Sequence, residues 1–202
     1  MIKLENLTVT FDKQTVIKDL SHTFENGVLY GITGASGIGK STLINCIAGL
    51  IPPSAGSIYK DEQKIAYIFQ DARLFPWMSA LENVECVCAD KQKAKHYLDL
   101  LLPDASDKYP HELSGGMKQR VSIARALAYE ADLILLDEPF KGLDAQTRQS
   151  AIDTVIGAIR GKCAILISHD PYELSLCDKI YSMSDSPVTS LSEVKTDSQK
   201  SE

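Results

Sequence analysis

Ile2, Leu4, Leu7, Val9 and Phe11 nearly alternate with polar neighbours, which predicts a half-buried N-terminal strand. The same spacing predicts strands over Thr15–Lys18, Leu20–Phe24 and Val28–Thr33, with Asn26-Gly27 as a turn between the last two. Helical spacing comes next at Leu43, Ile44, Ile47 and Leu50, with Pro52-Pro53 as the expected stop. Ser57–Tyr59 and Ile65–Phe69 read as two more strands. From Gln70 the pattern changes: Leu81–Cys88 and Gln92–Leu102 read as helices separated by Ala89-Asp90, and Pro103 and Pro110 break the chain after them. A helix from Ser114 to about Ala128 comes next, and Leu133–Leu136 is a continuous apolar run. Beyond it the pattern predicts a helix over Ala145–Ile159, a buried strand at Ala164–Ile167, a short helix near Tyr172–Leu176 and a strand at Lys179–Met183.

Continuous apolar strands alternating with helices indicate an α/β fold with a mostly parallel sheet covered on both faces. The N-terminal strands, joined by short turns, add an antiparallel β subdomain. The stretch of about 71–128 reads as a helical subdomain inserted into the core. One domain is expected over 1–191, with a polar, disordered tail over 192–202.

Composition narrows the partners. The chain has 202 residues, 44% hydrophobic and 24% charged, as a soluble domain with a real core requires. A net charge of −6 argues against nucleic acid as a partner. No apolar run reaches the ~18 residues that span a bilayer, and Met1-Ile-Lys-Leu-Glu-Asn lacks a secretion signal. The expectation is a cytosolic chain that meets a membrane only through a partner. Cys46, Cys86, Cys88, Cys163 and Cys177 fit neither a disulfide framework nor a zinc-finger spacing, even with His96 nearby, and read as buried thiols.

Gly34-Ala35-Ser36-Gly37-Ile38-Gly39-Lys40-Ser41 lies after a strand and opens a helix. The glycines let backbone N–H groups turn around phosphate oxygens, and the helix start adds a favourable dipole. Lys40 is placed to reach the β- and γ-phosphates of ATP, the Ser41 hydroxyl to ligate Mg²⁺, and Thr42 to add a hydroxyl nearby. The apolar run Leu133–Leu136 ends in Asp137-Glu138. A carboxylate at a strand end suits the hard cation, which assigns Asp137 to Mg²⁺. Glu138, one residue on, can take a proton from a water aligned on the γ-phosphate.

These motifs occur together with Gln70, Leu113-Ser-Gly-Gly-Met117, Gly142-Leu-Asp144 and Ser168-His-Asp170. In this order the chain resembles the ATP-binding-cassette (ABC) ATPases, across roughly residues 2–185. The resemblance implies a P-loop NTPase core, ATP and Mg²⁺ as cofactors, and a dimer of two copies closing on two ATP molecules. It makes Gln70 a contact to Mg²⁺ and the attacking water, and His169 a γ-phosphate contact that orients Glu138. Ser114, Gly115 and Gly116 would cover the ATP held by the opposite copy. A serine N-cap and backbone N–H groups at a helix start suit that task. Met117, Val121, Ala124 and Ala128 form the expected buried stripe of that helix, with Lys118, Gln119, Arg120 and Arg125 mostly outside it. Asp144 would lie across the dimer interface, cap the following helix, or do both. Phe11 sits where the family stacks an aromatic on adenine. Where the family often has Ser-Ala-Leu-Asp, this chain has Lys141-Gly-Leu-Asp144.

The resemblance further implies an ATPase at the cytoplasmic face of the membrane, driving permease subunits with a solute-binding protein in the complex. Leu74-Phe-Pro-Trp77 is similar to importers of nitrate, taurine, alkyl sulfonates and thiamine precursors. Trp77 would line the docking groove or pack within the helical subdomain. An exporter ATPase and a soluble iron–sulfur assembly ATPase are the alternatives. The stretch between the two glycine motifs is too short for the long coiled coil of the DNA-repair members.

Overall fold

The computed structural model describes residues 1–61 and 64–194. In chain order the elements are β1 (Ile2–Phe11), β2 (Gln14–Phe24), β3 (Leu29–Gly34), α1 (Lys40–Ala48), β4 (Ala55–Lys60), β5 (Ile65–Ile68), α2 (Ala80–Glu85) and α3 (Lys91–Leu101). A short 3-10 turn at Pro110–Glu112 precedes α4 (Gly115–Ala128), β6 (Leu133–Asp137), α5 (Ala145–Ile159), β7 (Cys163–Ile167), α6 (Pro171–Ser175), β8 (Lys179–Met183) and β9 (Ser192–Glu193). They fall into two compact units. One comprises residues 1–61 and 161–194, the other residues 64–160.

In the first unit β1 pairs antiparallel with both β2 and β4. Ile2, Leu4, Leu7 and Val9 of β1 are buried, as their near-alternation requires. The two strands expected over residues 15–24 are one. Asp19 takes a left-handed φ of 51° where the register shifts, and its N–H donates to Thr8 Oγ1 at 3.0 Å, so the ladder crosses the bulge instead of ending there. A second layer places β3 parallel to β7 on one side and to β8 on the other, with β9 antiparallel to β8. β7 is buried along its whole length. Helix α1 stops at Gly49, before the two prolines expected to end it. Gly49 is left-handed, and the N–H groups of Gly49 and Leu50 close onto the Cys46 and Asn45 carbonyls at 3.0 and 2.9 Å. Of the expected disordered tail, Ser192 and Glu193 instead pair with Ser182 and Tyr181, while residues 195–202 lie outside the described residues.

In the second unit β5 and β6 pair in parallel, and every residue of β6 is buried. Helices α2, α3 and α4 pack on one another. α2 is shorter than the pattern predicted. Ser79 and Glu82 form a reciprocal capping box at its start, and its last turn closes at Cys86, which is exposed and not the buried thiol expected. Helix α4 differs most from expectation. Its burial is not a stripe: Gln119 and the run Val121–Ala124 are buried, while Met117 is only half-buried. Among the described residues, no helix is long and apolar enough to cross a membrane.

Candidate functional site

The loop between β3 and α1 is shaped by its glycines. Gly34, Gly37 and Gly39 hold φ values of 144°, 77° and 120°, outside the range of most side-chain-bearing residues. At Gly34 a Cβ would come within 2.4 Å of the Met183 carbonyl oxygen, so β8 leaves room only for glycine. Among the described residues, no side chain caps the N-terminus of α1, and its first turn holds no acidic residue. That leaves its first N–H groups and dipole for an anion. Lys40 is buried, and its Nζ donates to the carbonyls of Gly34 and Ala35 at 2.7 and 2.9 Å. Ala35, Ser36, Gly37 and Ser41 are exposed and Ile38 and Thr42 half-buried, so the loop offers its outer face to a ligand.

Two further expected residues belong to this unit. Phe11 ends β1 at the tip of its hairpin with β2 and is 44% exposed, open to stacking rather than packed. His169 comes just after β7 and is exposed. Its turn is pinned on both sides: the Ser168 hydroxyl donates to the buried Glu173 carboxylate and accepts from the Asp170 N–H at 3.0 Å.

The second unit carries the rest. Asp137, the last residue of β6, is buried. Burial first, then the nearby Asp137 charge, pushes the Tyr67 hydroxyl well above its ordinary pKa. Glu138 is next, with a left-handed φ of 45°, a strained conformation of the kind that collects at functional sites. Its carboxylate meets Lys141 Nζ at 2.5 Å, and its carbonyl accepts from the Lys141 N–H at 3.2 Å. Gln119, expected outside the buried face, reaches from α4 to the carbonyls of Phe69 and Pro139, both at 3.1 Å. One buried amide therefore ties the residue before Gln70 to the residue after Glu138. No local pattern could announce it, because both carbonyls belong to remote segments. Arg125 does the same for the next loop, holding the Ala72 and Arg73 carbonyls at 3.1 Å each.

Ser114 caps α4, its hydroxyl accepting from the Met117 N–H at 3.3 Å. Gly115 is exposed, with nothing within 4 Å of where a Cβ would stand. Gly116 is tighter: a Cβ there would sit 3.2 Å from the Gly142 carbonyl. Gln70, Gly115, Gly116, Lys141 and Gly142 line one open concavity of about 560 Å³. Asp144 caps α5, accepting from the Thr147 N–H at 3.1 Å, and the Thr147 hydroxyl and N–H hold its carboxyl below the usual range. Trp77 is 70% exposed beside Phe75, so it does not pack inside the helical region. The expected Mg²⁺ ligands Ser41, Gln70 and Asp137 offer hydroxyl, amide and carboxylate oxygens, donor types that suit a hard cation.

Residues 17–141 match the sequence pattern of the family described as ABC transporter. The nitrate import ATP-binding protein NrtD of Synechocystis sp. is 41% identical over 192 residues, covering 86% of this chain and 72% of that protein. The aliphatic sulfonates import ATP-binding protein SsuB of Bacillus licheniformis is 42% identical over 173 residues, covering 78% of this chain and 68% of that one. Among solved structures, the dimeric ATP-binding cassette MJ0796 bound to ADP and Pi superposes with a TM-score of 0.88 at 28% identity, covering 97% of this chain and all of that one. The chain belongs to the ABC transporter family, as its ATP-binding, ATP-hydrolysing cassette.

Proposed function

We propose that two copies of this cassette close on two molecules of Mg-ATP and use their hydrolysis to drive permease subunits that import a small oxyanion or organic anion. The observation that carries the nucleotide reading is the glycine-shaped loop ahead of an uncapped α1, with Lys40 buried at its base. The anion reading rests on the relatives named for nitrate and aliphatic sulfonates.

In this reading Lys40 exchanges its carbonyl partners for the β- and γ-phosphate oxygens, and the α1 N–H groups take the remaining phosphate charge. Ser41, Gln70 and Asp137 would hold Mg²⁺, which would supply positive charge against that of the phosphates. Glu138 accepts the proton of the attacking water, with Gln70 and His169 orienting that water and the γ-phosphate. Ser114, Gly115 and Gly116 of the second copy cover the γ-phosphate, and Asp144 reaches across between copies. Phe11 stacks on adenine for about 1 kcal/mol. The exposed Phe75 and Trp77 meet the permease, which holds the cassette at the cytoplasmic face of the membrane, and a solute-binding protein delivers the anion.

The test is uptake into proteoliposomes holding the cassette with its permease. Nitrate or an alkyl sulfonate should accumulate only with ATP and the solute-binding protein. Glu138→Gln should still bind ATP, lose about 10²–10⁴ in hydrolysis, abolish uptake and persist as an ATP-bound dimer. Wild-type turnover in that variant removes Glu138 from the base role. Outward transport, or uptake indifferent to the solute-binding protein, overturns the importer.

A further inference from the structure

Lys141 touches both halves of the chemistry assigned to this region. Its ammonium grips the Glu138 carboxylate at 2.5 Å, and its N–H closes the turn onto the Glu138 carbonyl at 3.2 Å. The same residue lines the concavity shared by Gln70, Gly115 and Gly116. Its neighbour Gly142 lies against Gly116 closely enough that a methyl group there would press on the Gly142 carbonyl. The Lys141 side chain is 59% exposed and that of Glu138 20%. A pair this open contributes little to stability, so its place in the fold is better explained by what it does to Glu138.

We propose that Lys141 is a positioning residue that works as a latch. It holds one Glu138 carboxylate oxygen while the face formed by Gly115 and Gly116 is empty, and transfers to the phosphate of the second copy's ATP when that phosphate arrives. The contact fixes the Glu138 rotamer through one of its two oxygens, so the carboxylate must leave Lys141 before the side chain can turn to a new partner. A triphosphate, with several charged oxygens close together, outcompetes a single carboxylate for the ammonium. Arrival of one copy's nucleotide at α4 thereby releases from Lys141 the carboxylate that serves the other nucleotide, and the two sites become coupled. This rests on the reading of Glu138 as base and of Ser114–Gly116 as the cover of the second copy's ATP.

ATP dependence of hydrolysis by the full chain tests it, in wild type, Lys141→Met, Lys141→Arg and Glu138→Gln. With two coupled sites the wild-type Hill coefficient approaches about 2. Lys141→Met should lower it to about 1 and raise the rate at low ATP, while Lys141→Arg, which keeps the charge, should keep the wild-type coefficient. Since Lys141 is exposed, thermal unfolding should be unchanged in both. A wild-type coefficient of about 1, or a Lys141→Met variant that keeps wild-type cooperativity or slows at low ATP, overturns the latch. If Glu138→Gln retains full turnover, the base reading falls and the latch with it. If Glu138→Gln is inactive but Lys141→Met leaves cooperativity intact, the latch alone falls.

Discussion

His22 carries a buried ring nitrogen, Nε2, that has no hydrogen-bond partner among the described residues. Its ring sits edge-on to Phe24 and to Tyr181, each at 4.7 Å. Burial, and then the Lys179 charge, lower its pKa below the ordinary 6.5. The folded state therefore binds the proton less readily than the unfolded chain. Its contribution is complete above 6.5 and is lost as pH falls from there through the depressed folded value. His22→Phe keeps the aromatic packing and removes the titration. The variant should lose less stability than wild type between about pH 7.5 and 5.5, measured by urea unfolding at each pH. Equal losses would remove His22 as a source of acid sensitivity. At this scale the glycine-shaped loop ahead of Lys40 and the strand end at Asp137 were legible in advance, because both placements follow from residue type and order. The Lys141–Glu138 pair was not. An exposed lysine three residues from a carboxylate has many rotamers, and sequence spacing alone does not select the one that meets Glu138 across its positive-φ turn.

Among the elements, α2 shows how a short helix is made to hold a loop. Asn83 is fully buried. Its side-chain nitrogen donates to the carbonyls of Phe75, Met78 and Ser79 at 3.1, 3.1 and 3.0 Å, and its oxygen accepts from the Phe75 N–H at 2.8 Å. The segment that exposes Phe75 and Trp77 is thus shaped by one amide. Asn83→Ala would leave those groups unsatisfied in a buried place, costing roughly 3 kcal/mol. The expected readout is a lower urea midpoint together with proteolysis near Trp77, and an unchanged midpoint would show that water replaces the amide. Element types were readable from periodicity because β6 and β7 are buried on both faces and α3 is amphipathic. Boundaries were not: the end of α1 is set by the left-handed Gly49 rather than by the later prolines. The breadth of burial on α4 escaped periodicity for a related reason. Gln119 and Ser122 are polar, yet their neighbours enclose them, and a hydrophobic stripe counts only apolar positions.

For the whole molecule, Lys40 and the Ser114–Gly116 helix start belong to different units of one chain, and the proposed chemistry needs that helix start from a second copy. ATP hydrolysis should accordingly rise more than linearly with protein concentration in the dilute range, because the active species forms by mass action. A strictly linear rate, with a monomer at every ATP level in sedimentation, would contradict the two-copy site. Lys40 adds a constraint on how such a chain survives before it meets nucleotide. A lysine this deeply enclosed would ordinarily oppose folding by the loss of its hydration. The Gly34 and Ala35 carbonyls supply a substitute for that water from within the same loop. The cost of enclosing the ammonium is therefore offset by the backbone of its own loop. A change that moved either carbonyl would strip a buried charge of that compensation, so the path of the loop and the lysine beneath it constrain one another.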